Sequence, residues 1–233
     1  MNYTSSDLKD QAKAMLKGNY PVAILVFLIY TLISSVTVNV DVLDGAALNI
    51  FGYLYSPSTL VFCIVSVLIV LVIRPLMYGA ANYFLNLKKK NAKFSDILKP
   101  FKVRYGRNVI AVCLEYAVVY MTMVITAMMS IILTPLAPLL MILAASFLLV
   151  FSYMIRQVPY ILMEDEDISA IDALAKSVEM MKGEKWNLFV LELSFIGWFL
   201  LSCVTLGISE IYSGPYRHAT YASFYKDISR KII

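Results

Sequence analysis

The run NYPVAILVFLIYTLISSVTVNV, residues 19–40, contains no ionisable side chain. A hydrocarbon core about 30 Å thick takes roughly 20 helical residues to cross, and this run has that length. Similar runs follow at 45–73, 108–133, 137–163 and 187–209. The second is also uncharged, and the last three carry one charge each: Glu115, Arg156 and Glu192. Apolar runs of this length, repeated along the whole chain, read as membrane spans rather than as core helices. Composition agrees, with 60% of the 233 residues hydrophobic and 15% charged, against about 25% charged in ordinary globular domains. The connections left over are too short for a soluble domain. The chain therefore reads as a single integral membrane domain, 1–233, of all-α class.

Lys and Arg set the orientation, because cytoplasmic loops carry the excess of both. The N-terminal segment holds Lys9, Lys13 and Lys17, and the connection from Asp41 to Ser58 holds neither residue type. A strongly basic stretch from Lys88 to Arg107 follows, then an uncharged Thr134–Pro138 turn, then the charged 164–185 segment. Lys226, Arg230 and Lys231 close the chain. A cytoplasmic C-terminus requires an even number of spans, so a sixth, weaker one is expected near 208–226, entered through an outer turn at Leu206-Gly207. The predicted spans are about 19–40, 59–87, 108–133, 137–163, 187–205 and 208–226, in a plasma-membrane protein with both termini inside. The competing arrangement has five spans and a C-terminal helix lying on the membrane surface.

An internal repeat favours six. Leu8–Gly18 and Ser169–Gly183 are amphipathic, and each ends in Lys-Gly shortly before an aromatic, Tyr20 or Trp186. In the first, Leu8, Ala12, Met15 and Leu16 oppose lysines. In the other, Ile171, Leu174, Val178 and Met181 oppose Asp172, Lys176 and Glu179. A looser copy, Phe94–Gly106, is interrupted by Pro100. Spacings of three and four predict helices lying in the interface. The even spans carry a mid-segment proline: Pro75 and Pro215 are followed at equal offsets by Leu76, Gly79, Phe84 and by Tyr216, Ala219, Phe224, with Pro159 as counterpart. The expected fold is a polytopic helical bundle of three hairpins, each preceded by an amphipathic interfacial helix.

Several segments resemble a known family: Val158-Pro-Tyr-Ile-Leu-Met, the run from Ala173 to Gly183, Leu193-Ser-Phe-Ile-Gly-Trp, and Gly214-Pro-Tyr with Phe224-Tyr225. The family is the uncharacterised bacterial integral membrane family numbered nine-seven-five among the domains of unknown function. More distantly, the chain is similar to the non-catalytic membrane domain of some glycerophosphodiester phosphodiesterases. The resemblance implies a plasma-membrane protein of six helices and supplies no reaction and no catalytic residues.

Charged groups at lipid depth are the residues with most chemical potential. Arg74, Glu115, Arg156, Glu192, Glu210 and Arg217 should face the bundle, because a central charge costs roughly 2.5–3.5 kcal/mol on insertion scales. Expected pairings are Glu115 or Glu192 with Arg156, and Glu210 with Arg74 or Arg217. Such a network serves either as a structural set of ion pairs that fixes helix register near the prolines, or as a polar cavity open to the cytoplasm that takes an anion, a lipid headgroup or a proton.

Other features have plain readings. Cys63, Cys113 and Cys203 fall inside spans and read as packing residues. Glu164–Asp167 lacks a spaced calcium loop and instead introduces a helix capped by Ser169 and Asp172. The 88–107 basic loop is a topology signal that also attracts anionic lipid, not a nucleic-acid site. His218 has no second ligand for a metal. Tyr20, Tyr53, Tyr55, Tyr105 and Tyr160 suit an aromatic belt, and Ser194, Gly197 and Trp198 a tight helix contact. No catalytic, cofactor or metal motif is present, so no enzyme activity is expected. The expected role is a non-enzymatic accessory or partner-binding membrane module whose partners are the bilayer, anionic lipid at the cytoplasmic face and a membrane protein. The alternative is a small transporter or lipid-handling protein using the buried Arg and Glu groups.

Overall fold

The computed structural model describes residues 4–45, 68–90 and 92–231, and every regular element among them is helical. The outer connection beyond residue 45, the start of the second span at 59–67, and Cys63, Tyr53 and Tyr55 lie outside the described residues.

Helix α1 (Ser5–Leu16) starts at a reciprocal cap: the Thr4 hydroxyl accepts from the Asp7 amide, and the Asp7 carboxylate accepts from the Thr4 amide at 2.8 Å. The chain then turns at Gly18, where φ is +84°, into α2 (Tyr20–Gly45). The bend between α1 and the start of α2 is 107°. After a π-helical turn (Ile69–Ile73), α3 (Arg74–Lys88) carries Pro75 in its first turn, where a missing N–H costs nothing. A 3-10 turn (Phe94–Leu98) and the short α4 (Lys99–Lys102) lead to Arg104, at φ +43°, and then to α5 (Tyr105–Ile132). A tight 3-10 turn (Thr134–Leu136) reverses the chain into α6 (Ala137–Met154), followed by α7 (Val158–Glu164) and α8 (Ala170–Met180). Gly183 at φ +77° opens into α9 (Lys185–Leu193), α10 (Ile196–Val204) and, past Leu206 and Gly207, α11 (Glu210–Ser229).

Among the described residues, three stretches are long and apolar enough to cross a membrane: Tyr105–Ile132, Thr134–Glu164 and Lys185–Val204. The bent pair α1–α2 makes a fourth if counted as one. Burial divides the molecule into two ends. At one end α3, α7 and α11 pack with α1 and the start of α2 around Tyr83, Phe84, Ile161, Leu162 and Phe224, all essentially inaccessible. At the other end α6 and α10 have no buried residue, and Ile131 and Val204 are 79% and 81% exposed. Side chains this apolar and this exposed form the surface that a bilayer would cover.

Four expectations change. First, α1 does not offer its apolar face to headgroups. Leu8, Ala12 and Leu16 are fully buried, and α1 runs along α11 in the opposite direction, with Met15 beside Ser223 and Tyr20 stacked on Tyr212 at 4.9 Å. An apolar stripe is covered by whatever surface fits it, and the Ala219–Ser223 side of α11 is small enough to accept it. Second, α8 buries Ala170, Ala173, Ser177 and Met180, a face rotated from the predicted stripe, of which Met181 is fully buried, Leu174 packs against the core and Ile171 stays 68% exposed. Third, the glycine that closes each repeat takes positive φ at Gly18 and Gly183, whereas in the middle copy Arg104 does. Fourth, Pro75 and Pro159 begin helices, whereas only Pro215 lies inside one.

The interruption before Pro159 is held by a residue that carries no sequence signal. The buried Ser177 hydroxyl donates to the Met154 carbonyl at 2.7 Å and accepts from the Gln157 amide at 3.2 Å. Ser177→Ala orphans both groups and is expected to cost about 1–3 kcal/mol, read as a lower unfolding temperature of the purified protein in detergent. Gly183→Ala meets no neighbour within 4 Å, so its cost is the left-handed backbone alone, about 1–2 kcal/mol.

Candidate functional site

Three interruptions of helical order meet at one level of the bundle: the turn before Pro75, the turn before Pro159, and the Pro215 segment of α11. Between them lies a cavity of about 240 Å³. Arg74, Glu115 and Arg156 line it, together with Tyr30, Tyr78, Tyr160, His218 and Tyr221. The walls are therefore polar and aromatic, with two guanidinium groups and one carboxylate.

Each charge has a named neighbour. The Arg74 Nε donates to the Tyr116 hydroxyl at 2.8 Å, with the guanidinium 4.9 Å from the same ring. Glu115 accepts from the Tyr78 hydroxyl at 3.0 Å. Arg156 lies 5.0 Å from the Tyr221 ring centre and 3.4 Å from Glu192. Glu192 also accepts from the Tyr153 hydroxyl at 2.6 Å and from Tyr221 at 3.4 Å. Glu210 pairs with Arg217 at 3.1 Å on the same helix. Of the expected pairings, Glu192 goes to Arg156 and Glu210 to Arg217. Glu115 takes a tyrosine of α3 instead of Arg156, and Arg74 takes a tyrosine of α5 instead of Glu210.

Five of the six residues fall into two sets, and Glu210 joins the second only through Arg217. Arg74, Glu115 and Arg156 share the cavity, while Glu192 and Arg217 line an apolar groove outside it, with Tyr221 forming a wall of both. Glu115, Arg156 and Glu192 also mark the level where burial ends. The last buried residue of α5 is Val112, and the first of α7 is Val158. In α9 the last is Leu191.

Aromatic residues do more here than sequence reading expects. Tyr160 is buried and stacks on Tyr225 at 5.2 Å, so it belongs to the interior and not to a belt. The His218 ring sits 4.5 Å from Tyr30 and stacks on Phe84 at 5.4 Å. No group of three or more His, Cys, Asp or Glu able to hold a metal occurs among the described residues. Cys113 and Cys203 are unpaired. Gly197 is open to space, so it makes no tight contact, and Trp198 instead packs on Tyr212 at 5.7 Å.

The charged loops make structural contacts. Arg107 donates to the carbonyls of Leu162, Asp165, Glu166 and Ile168 at 2.7–3.1 Å, and Arg104 to those of Glu166 and Asp167. Lys99 bonds Glu166 at 2.8 Å and holds its carboxyl below the ordinary range. Part of the basic loop thus ties down the acidic turn that follows α7. The predicted cap of α8 is present as the Ser169 hydroxyl accepting from the Asp172 amide.

No curated protein and no solved structure matches the chain, so the distant likeness to a phosphodiesterase membrane domain has no support beyond the residues that suggested it. A family model does match, over residues 108–231, which include Glu115, Arg156, Glu192, Glu210 and Arg217. The chain belongs to that family, the proteins of unknown function DUF975.

Proposed function

We propose that this chain is a multi-pass plasma-membrane protein of six spans whose work is non-enzymatic binding of an anion in the cavity between its three prolines, in a lipid-handling role. One observation carries the reading: Arg74 and Arg156 open onto the same cavity, which Glu115 alone among its lining residues opposes with a carboxylate. Neither guanidinium is held by a two-point carboxylate contact, so each keeps donors for a ligand. A purely structural network would pair each arginine with an acid of its own, as Arg217 pairs with Glu210, whereas Arg74 bonds a tyrosine and Arg156 meets Glu192 through a single 3.4 Å contact. The accessory role expected from the sequence is compatible with such a cavity but does not require it.

The fold supports three repeated units. Each long apolar helix of the odd set follows a left-handed residue, at Gly18, Arg104 and Gly183, and each even segment has its proline near the cavity. Leu206 and Gly207, both at positive φ, form the outer turn before α11. In a cysteine-free background, Leu206→Cys should react with a membrane-impermeant thiol reagent in intact cells, whereas Lys231→Cys should react only after lysis. The reverse pattern removes the six-span topology.

The cavity is tested by thermal unfolding of the purified full chain with glycerol phosphate. The ligand should raise the unfolding temperature of the wild type. Arg74→Gln and Arg156→Gln should remain folded and lose that increment. An unchanged increment in both variants removes the cavity as the site.

A further inference from the structure

Just outside the cavity, α6, α9, α10 and α11 frame a groove of about 280 Å³. Its apolar walls, Phe189, Leu193, Ile196 and Phe199, are all 40% exposed or more. Its inner end is polar: Glu192, Arg217, Tyr153 and Tyr221. Tyr221 also lines the cavity, and Arg156, a cavity residue, reaches over the Tyr221 ring to Glu192. The groove and the cavity are therefore neighbours, divided by one tyrosine ring and one ion pair.

We infer that an anionic membrane lipid is the ligand, with its phosphate against Arg156 and Arg74, its acyl chain in the Phe189–Phe199 groove, and Glu192 as a latch that holds Arg156 until the phosphate displaces it. This rests on the anion-binding reading of the cavity and adds a lipid source and a side entry.

Three features support it. The groove is apolar along its length and charged at one end, the profile of an amphiphile rather than of a free anion. It lies where burial gives way to exposed apolar surface, so its apolar walls are open on the side that a bilayer would cover. The latch is also built to open. Arg156 meets Glu192 through one nitrogen at 3.4 Å, and their side chains are 46% and 28% exposed. A phosphate accepting two short bonds from a guanidinium outcompetes such a contact. The Tyr153 hydroxyl, 2.6 Å from Glu192, remains to hold the carboxylate once Arg156 leaves.

The inference gives opposite signs to the two halves of one ion pair. The experiment is native mass spectrometry of the full-length protein in detergent with phosphatidylglycerol or phosphatidylcholine. The wild type is expected to retain phosphatidylglycerol in preference. Arg156→Gln should weaken retention about tenfold. Glu192→Gln frees Arg156 and should strengthen it several-fold, whereas Glu179→Gln, an exposed carboxylate on α8 with the same charge change, should leave it unaltered. Should Glu192→Gln fail to fold, Tyr153→Phe removes the group that holds the carboxylate once Arg156 leaves, without a charge change, and should weaken phosphatidylglycerol retention; unaltered retention in it overturns the latch. Phe199→Ser should weaken lipid retention and leave the response to glycerol phosphate intact.

Equal retention of both lipids overturns the inference, as does a loss of retention in Arg156→Gln and Glu192→Gln alike. Wild type that responds to glycerol phosphate but shows no lipid preference keeps the anion cavity and removes the lipid and its latch. Response to neither removes both.

Discussion

Gly79→Ala is expected to destabilise the protein by at least about 3 kcal/mol, enough to remove folded protein from a detergent extract. A Cβ at this position would lie 1.9 Å from the Ile97 carbonyl oxygen and 2.6 Å from its carbonyl carbon. Both atoms are backbone, so no rotamer change relieves the clash. The contact is also fixed from both sides. One helical turn on, Asn82 donates to the Asp96 carbonyl and Asn86 to the Asp96 carboxylate, both at 3.0 Å. The 3-10 turn is thereby held against the face of α3 that carries residues 79, 82 and 86. The measurement is the yield of monodisperse protein and its unfolding temperature, with Gly197→Ala alongside. Gly197 has nothing within 4 Å, so that variant should behave as wild type. Comparable yields of the two variants would mean that the 3-10 turn is not seated on α3.

Arg107→Met should cost roughly 3–5 kcal/mol. The residue is 8% exposed and bonds four carbonyls of the 162–168 turn, more than Arg104, Lys99 or the Asp165 carboxylate contributes there. Methionine fills the space and leaves those four oxygens without their donor. Arg107→Lys should recover only part of the loss, because one ammonium cannot span carbonyls from Leu162 to Ile168 as a guanidinium fork does. The predicted signature is local as well as global, with protease cleavage appearing between residues 164 and 168 before the protein unfolds. Lys102→Met changes the same charge in the same loop and is expected to have little effect. If it proves equally damaging, net charge and not carbonyl bonding is the cause.

The two cases show what kinds of information a sequence carries. Gly79 and Ala219 occupy equivalent offsets from Pro75 and Pro215, and the repeat makes them look interchangeable. Only Gly79 faces another backbone, whereas Ala219 is buried along a helix face with its methyl group accommodated. Arg107 is one of several cations in a basic loop, and as a topology signal any of them would serve alike. Which cation enters the protein depends on where the carbonyls of a turn about 60 residues later come to lie.

For the candidate site, the residue types were legible and their partners were not. Charges in apolar runs are rare enough that Glu115, Arg156 and Glu192 stand out by hydropathy alone, while Arg74, Glu210 and Arg217 enter through the prolines and the parity of the spans. The tyrosines that bond these charged groups do not stand out, because a tyrosine in an apolar run costs little and has several plain explanations. Yet Tyr78, Tyr116 and Tyr221 decide which acid meets which base.

By itself, the sequence determined the helical class, the long apolar stretches, the cap at Ser169, the turn at 134–136 and the family. These depend on local hydropathy, on backbone preference and on residue identity, all of which act over a few neighbours. Tertiary structure alone decided that α1 buries its apolar stripe on α11, that α8 turns a different face inward, and that Glu115 and Arg156 share a cavity without pairing. Each of these outcomes is a competition among surfaces distant in the chain. The winner is set by shape and by the reach of side chains, which no single segment encodes.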